Sequence, residues 1–303
     1  MLYRFPTFIK APIVVVSLAL NLAFTGSMIT VMGILKLLPI GPWQRMCTSV
    51  SHVFYTLFIY LNWGIIRLTN NPDLQIRYSK PVSSKSWNLV ISNHQSWLDI
   101  MVLMQVLGRD LPPPKFFLKK ELIWVPFIGI ASWALDMPFI SRYSHSFLKK
   151  NPHLKGKDIE NTRRSCAKFR KIPTTIVNFV EGTRLTTQKH HSQRSPYRHL
   201  LKPKAGGIAF TLAAMGDQFE NLLDVTIQYP EIDRDQPAFA RLLQGKLSAV
   251  NVHVQANPID SNLIGNYFED KQFRVAFQQQ LNERWQQKDQ RLDEMTQPSA
   301  KQI

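Results

Sequence analysis

Cysteine is nearly absent: Cys47 and Cys166 are the two thiols in 303 residues. Neither has a metal-ligand spacing, and two thiols do not make a disulfide framework; the pattern fits a reducing compartment. The eight histidines include the adjacent pair His190-His191, yet no H-E-x-x-H or Cys/His cluster occurs, so no metal site is expected. Acidic residues are also scarce. Asp+Glu is 21 against Lys+Arg 37, a formal net charge of +16, and the pI is about 9.9. Such an excess attracts anionic surfaces: lipid headgroups, nucleic acid or phosphorylated ligands. There is no internal repeat, helix-turn-helix or RNA-binding signature, so nucleic acid is not expected as a partner.

Charge is missing altogether from Ala11 to Leu35. Ile13 to Leu35 is long enough to cross a bilayer, which takes ~20 mostly apolar residues. The run exceeds a signal-peptide core, and no small-residue cleavage site ends it. Met46 to Ile66 also lacks Lys, Arg, Asp and Glu, although it carries His52 and Asn62. It reads as a second span or as an amphipathic helix lying in the interface. A helical hairpin bent at Leu38-Pro39-Ile40-Gly41-Pro42 is preferred, with Arg4, Lys10 and the basic remainder on one side. The positive-inside tendency makes that side cytoplasmic. Residues 1–70 are thus expected to anchor the chain, and residues 71–303 to form the catalytic domain with its C-terminal helix.

From Leu74 onward strand-like and helix-like stretches alternate, an α/β layout. Strands are expected at 75–78, 87–92, 115–118, 138–140, 174–179, 222–229 and 247–255. Helices are expected at 96–107, 156–171, 206–216 and 268–292. Phe273, Phe277, Leu281 and Trp285 recur every four residues, the stripe of a packed helix. Residues 186–200 are polar and basic and read as a mobile loop. Trp124 to Trp133 is too short to span and is broken by Pro126 and Gly129. It reads as a buried or interface-inserted element, or as ordinary core.

Two strand ends carry the chemistry. Trp87-Asn88-Leu89-Val90-Ile91 leads into Asn93-His94-Gln95-Ser96-Trp97-Leu98-Asp99. A histidine in the turn and a carboxylate in the following helix make a base and its orienting partner. They meet only if the turn brings them together, because positions five apart lie on different faces of a continuous helix. Ser96 is a suitable N-cap. The plainer alternative is a strand-to-helix turn in which both side chains satisfy backbone groups. No Ser or Cys nucleophile is implied, so the acceptor hydroxyl would belong to a substrate. The second strand end is Phe179-Val180-Glu181-Gly182-Thr183-Arg184. Gly182 permits close backbone approach and Arg184 offers a planar fork for phosphate. Taken alone, this stretch also reads as a turn with a Glu181–Arg184 ion pair.

Together these stretches resemble the lysophospholipid (1-acylglycerol-3-phosphate) acyltransferase family, with its N-H-x-x-x-x-D and F-x-E-G-T-R boxes. Met137-Pro138-Phe139-Ile140-Ser141-Arg142 is similar to a further box ending in a substrate-contacting arginine, without the glycine often found at its start. Val225-Thr226-Ile227-Gln228-Tyr229-Pro230 is similar to a V-P-x-x-x-P box whose first proline is missing, so the wall built there is expected to differ. Leu118-Lys119-Lys120, Trp133 to Phe139 and Thr162 to Cys166 most resemble the YihG-type proteobacterial branch.

The resemblance implies a mixed sheet flanked by helices behind an N-terminal membrane anchor. It implies His94 and Asp99 as the catalytic pair. It also implies an acceptor-headgroup site from Arg142, Glu181, Gly182, Thr183 and Arg184, with Lys204 and Lys202 assisting. Arg142 and Arg184 would hold phosphate, and Glu181 would position an arginine or a glycerol hydroxyl. Partners would be membrane phospholipid, a lysophospholipid acceptor such as lysophosphatidic acid or lysophosphatidylglycerol, and acyl-CoA or acyl-acyl-carrier protein as donor. An activated thioester needs no metal or redox cofactor. Two other readings remain: a non-enzymatic adaptor binding anionic lipid, and a hydrolase delivering the acyl group to water.

Overall fold

The uncharged N-terminus folds as two 29-residue helices, α1 (Thr7–Leu35) and α2 (Gly41–Thr69). A computed structural model describes residues 5–140, 172–230, 237–267 and 269–296. At ~1.5 Å per residue each helix runs about 43 Å, and both are long and apolar enough to cross a membrane. The chain reverses just before α2, where Pro42 occupies the first helical turn and gives up no hydrogen bond,. Inside the hairpin Asn21 donates through Nδ2 to Asn62 Oδ1 at 2.9 Å and to Phe58 O at 3.1 Å.

The hairpin also packs on the α/β body. The Tyr55 hydroxyl donates to Pro114 O at 2.6 Å. Asn70, just past α2, donates to Leu242 O at 3.0 Å and accepts from Leu247 N at 3.0 Å. At the other end Lys36 pairs with Asp136 at 3.1 Å. Asp136 has φ 58, a left-handed conformation that Asp tolerates better than most residues. This position opens the Met137-Pro138 box that was expected to lack a glycine, and its backbone takes the left-handed region that glycine favours,.

The body is a six-stranded mixed sheet. Its strands are β1 (Asp73–Tyr78), β2 (Asn88–Ser92), β3 (Pro114–Phe116), β6 (Thr175–Phe179), β7 (Asn221–Gln228) and β8 (Ala249–Pro258). Their order is β1-β8-β7-β2-β6-β3, with β7 and β8 antiparallel and the other pairs parallel. A short parallel pair, β4 (Leu118–Lys119) and β5 (Phe139–Ile140), lies apart. On one face of the sheet α3 (Leu98–Asp110) packs Val102, Leu103 and Val106 against Val90, Val177, Leu223 and Val225. On the other lie α6 (Ala205–Met215) and α8 (Lys271–Thr296) over Leu89, Ile91, Ile176 and Leu222. The central strand β2 is therefore apolar on both faces through Leu89, Val90 and Ile91,, whereas β7 is apolar towards α3 but carries Asp224, Thr226 and Gln228 on its other face after Leu222. The expected α8 stripe is core: Phe277, Leu281 and Trp285 are buried, while Phe273 is partly covered.

Three helices were not anticipated: α4 (Gly129–Ala134), α5 (Thr187–Gln193) and α7 (Ala238–Gln244). The supposed mobile loop at 186–200 contains α5, capped by Thr186 Oγ1 at the N-terminus and closed by Arg194 at φ 46. α3 begins at Leu98 rather than Ser96, because the Asp99 carboxylate takes the first amides. Trp124 to Trp133 is not ordinary core. Trp124 is 86% exposed, and Phe127, Ile130 and Trp133 are exposed beside it. The helix expected at 156–171 falls outside the described residues, as does Cys166; Cys47 is buried.

Two glycines on α1 let that exposed segment approach. A Cβ on Gly26 would strike the Phe127 carbonyl, and one on Gly33 would strike Ala134 Cβ. Gly64 on α2 has open space. Gly26→Val should therefore lower the unfolding temperature, by the overpacking cost of about 1–3 kcal/mol. Gly64→Ala should hold or raise it, since Ala is favoured in helices by up to about 1 kcal/mol. Equal melting curves for the two variants would contradict this packing.

Candidate active site

The parallel pairing of β2 with β6 sets Ser92 beside Phe179, so the two motif turns leave adjacent strand ends, where open α/β sheets hold ligands. The turns are tied together twice. Leu185 N donates to His94 O at 2.8 Å, and His94 N donates to Glu181 Oε2 at 3.3 Å. Gly182 takes φ 69, a left-handed value that suits glycine,. β7 is joined as well: Asn93 exchanges two hydrogen bonds with Ile227, both 2.9 Å, so its side chain substitutes for a ladder partner.

His94 and Asp99 meet. The distance from His94 Nδ1 to Asp99 Oδ2 is 2.9 Å, and Asp99 is fully buried at 0% exposure. The same oxygen accepts the backbone N–H of Gln95 at 2.6 Å and of Ser96 at 2.8 Å. Oδ1 accepts the Tyr229 hydroxyl at 2.6 Å. Burial, and the Asp99 carboxylate beside it, push the Tyr229 phenol far above its ordinary range, so it remains a donor. The carboxylate thus both satisfies the turn and orients the histidine, and the two readings of the motif are one structure. Bonding at Nδ1 leaves Nε2 as the basic nitrogen; among the described residues it has no hydrogen bond. The ring lies on Phe179, centroids 4.0 Å apart and planes 19° apart.

Glu181 differs from expectation. It is 1% exposed, and its oxygens accept from His94 N and from Leu201 N at 3.2 Å. Among the described residues both oxygens accept from backbone, so it holds the His94 turn. Burial drives its carboxyl well above the ordinary range, against the two backbone donors and Lys288. Leu201 is held in turn, its carbonyl accepting Trp285 Nε1 at 3.0 Å. One turn along α8, the fully buried Lys288 pairs with Asp224. Desolvation lowers the Lys288 pKa and Asp224 opposes that.

Arg184 lies over the exposed Trp97 ring, 4.7 Å from its centroid, a cation–π contact that keeps the guanidinium beside the His94 turn. From α5, Lys189 Nζ donates to Thr183 Oγ1 at 2.7 Å and Arg184 O at 3.2 Å. Lys204 caps α6 and its amide donates to Val180 O at 2.8 Å, while its side chain is exposed. Arg142 lies outside the described residues. Where the fourth box lacks its proline, Thr226 stays within the ladder opposite His253, and the strand runs on to deliver Tyr229. Tyr229, Asn93, Phe179 and Lys189 are the contributors whose parts were not read from sequence. Tyr229 and Phe179 sit inside recognised boxes, but only strand alignment gives them a partner. The cluster can take a proton at His94 Nε2 and hold an anion at Arg184.

A family model described as Acyltransferase matches residues 73–229. The chain is 23% identical over 268 residues to 1-acyl-sn-glycerol-3-phosphate acyltransferase 3 of Arabidopsis thaliana, covering 82% of this chain and 67% of that one. It is 24% identical over 229 residues to 1-acyl-sn-glycerol-3-phosphate acyltransferase delta of Rattus norvegicus, covering 71% and 56%. It thus spans only about 56–67% of the length of these curated relatives. The crystal structure of PlsC, the 1-acyl-sn-glycerophosphate acyltransferase of Thermotoga maritima, superposes with a TM-score of 0.57 at 16% identity. That match covers 97% of this chain and 98% of that one and establishes a shared fold.

The buried Glu181 gives stability a pH signature. Well below the ordinary carboxylate range the group is protonated both folded and unfolded. As pH rises, the unfolded chain releases its proton first, so stability falls until the raised folded value is passed. Between about pH 4 and about pH 8, the unfolding temperature of the wild type should therefore drop more steeply than that of Glu181→Gln. The variant's mismatched amide costs a constant amount across that range. Parallel profiles would contradict the buried carboxyl.

Proposed function

The chain belongs to the acyltransferase family, and we propose that it transfers a fatty acyl group from an acyl thioester to the sn-2 hydroxyl of a lysophospholipid at a membrane. The observation that carries this reading is the 2.9 Å contact between His94 Nδ1 and the fully buried Asp99. It supports a base whose partner comes from the substrate.

His94 Nε2 takes the proton from the acceptor hydroxyl as its oxygen bonds to the thioester carbon. Asp99, held by Tyr229 and two backbone amides, keeps the ring oriented and stabilises the imidazolium. When the tetrahedral intermediate collapses, the C–S bond breaks and the proton passes from His94 to the departing thiolate. Arg184, with Arg142 and Lys204, binds the acceptor phosphate, with Gly182 and Thr183 shaping the turn beneath it. The thioester is already activated, so the step needs no metal or redox cofactor.

Lysophosphatidic acid is the first acceptor expected, in keeping with the names of the relatives, and lysophosphatidylglycerol the second. The donor is acyl-CoA or acyl-acyl-carrier protein. The α1–α2 hairpin supports membrane attachment with the site facing the cytoplasm of a bacterial inner membrane. A YihG-type placement belongs to the same reading.

The test is acyl transfer by detergent-purified protein with labelled oleoyl-CoA, then with the acyl-carrier protein, against a panel of lysophospholipids. Diacyl product is expected. Fatty acid release without acceptor would indicate a hydrolase, and silence with both donors an anionic-lipid adaptor. His94→Ala should lower turnover by roughly 10²- to 10⁴-fold while vesicle binding persists; full activity would remove His94 from the mechanism. Arg184→Ala should chiefly raise the acceptor KM. Tyr229→Phe should lower kcat by about 10-fold, the effect of one lost hydrogen bond on a buried carboxylate, with the acceptor KM unchanged.

A further inference from the structure

The sheet has a second polar surface that acyl transfer does not use. Alternation along β1 and β8 sends Leu74, Ile76, Val250, Val252 and Val254 into the core shared with α3,. The intervening residues face α8, and they are polar. Arg77, His253 and Thr226 form one cross-strand row, and Gln75, Asn251 and Gln228 the next. The end of α8 lays Arg291 over the first row, donating to Thr226 Oγ1 at 3.3 Å. Between helix and strands is a cavity of about 350 Å³, lined by Gln75, Arg77, Asn251, His253, Arg291 and Glu294 among others.

The lining is cationic. Glu294 is its one carboxylate, and neither arginine has an ion pair among the described residues. Lys288 nearby is paired with Asp224. His253 Nδ1 is buried with no hydrogen bond. Burial, then Arg291, Lys288 and Arg77, hold the imidazole below its usual value, with Asp224 opposing. An apolar occupant would leave these donors unmatched and a cation would be repelled. Guanidinium forks suit the oxygens of a phosphate, and the volume is that of a small-ligand site.

We propose that this cavity binds a phosphate-bearing anion, on the sheet face opposite α3 and separate from the His94–Asp99 pair. The phosphate belongs either to a soluble phosphomonoester or to a lipid headgroup; the recognising chemistry is the same.

The full chain in detergent is melted with increasing inorganic phosphate, against potassium chloride at matched ionic strength. Binding to the folded state raises the unfolding temperature with ligand concentration. Because the acceptor site at Arg184 can also take phosphate, the cavity is read in the Arg184→Ala background, where a response should remain. In that background Arg77→Gln should weaken the apparent affinity by about 10-fold, one charge-assisted contact, and Arg77→Gln/Arg291→Gln should abolish the remaining response. Arg77 is exposed on an edge strand, with no hydrogen bond or ion pair to lose among the described residues, so the single variant remains folded. In histidine-labelled protein, phosphate should raise the His253 pKa by about one unit, an effect that loosened packing would not produce. A response unchanged in the arginine variants, lost in Arg184→Ala, or absent from the wild type would overturn the proposal. Vesicles of phosphatidylcholine with and without phosphatidic acid then assign the source. Arginine-dependent enrichment on the acidic vesicles points to a headgroup, and its absence to a soluble phosphate.

Discussion

Asp99 is a carboxylate with no exposed surface, and four donors are brought to its two oxygens. Two come from the backbone of its own turn, one from His94 and one from Tyr229 on a strand 130 residues away. A buried carboxylate is costly unless its hydrogen bonds are made, so the motif turn, the start of α3 and the end of β7 must close on one another together. The orientation of His94 follows from that closure. A histidine held only by its own loop would sample several rotamers; here its ring is fixed at Nδ1 and stacked on Phe179.

Glu181 repeats the arrangement from the neighbouring strand. It spends both oxygens on backbone amides, one of them that of His94. Through Leu201 and Trp285 the same turn is linked to the C-terminal helix. Elements far apart in sequence thus converge on a few polar groups beneath an apolar sheet. Arg184 is steadied by Trp97 beside that frame, and the Thr183 turn is clamped by Lys189.

The hairpin is part of the same body. α1 meets α4 through Gly26 and Gly33, Lys36 reaches Asp136, and Tyr55 bonds to Pro114. Trp124, Phe127, Ile130 and Trp133 are left exposed beside α1. These exposed apolar side chains lie beside a helix that is itself long and apolar enough to cross a membrane.

Local pattern determined much of this. The charge-free N-terminal runs, the α8 stripe, the two motif turns and the strands, apart from the division of the single strand expected at 115–118 into β3 and β4 in separate sheets, follow from periodicity, composition and residue chemistry, all of which act over a few neighbours. The short helices α4, α5 and α7 escaped because each has fewer than eight residues and draws its stability from packing and caps. Tertiary structure alone decided that Glu181 faces backbone, that Tyr229 completes the Asp99 shell, and that Lys288 is buried against Asp224. It also opposed Arg77 and His253 to Arg291. These depend on strand order and register, which bring together residues whose separation in the chain carries no signal of their contact; the cost of burying an unpaired polar group then fixes the pairing.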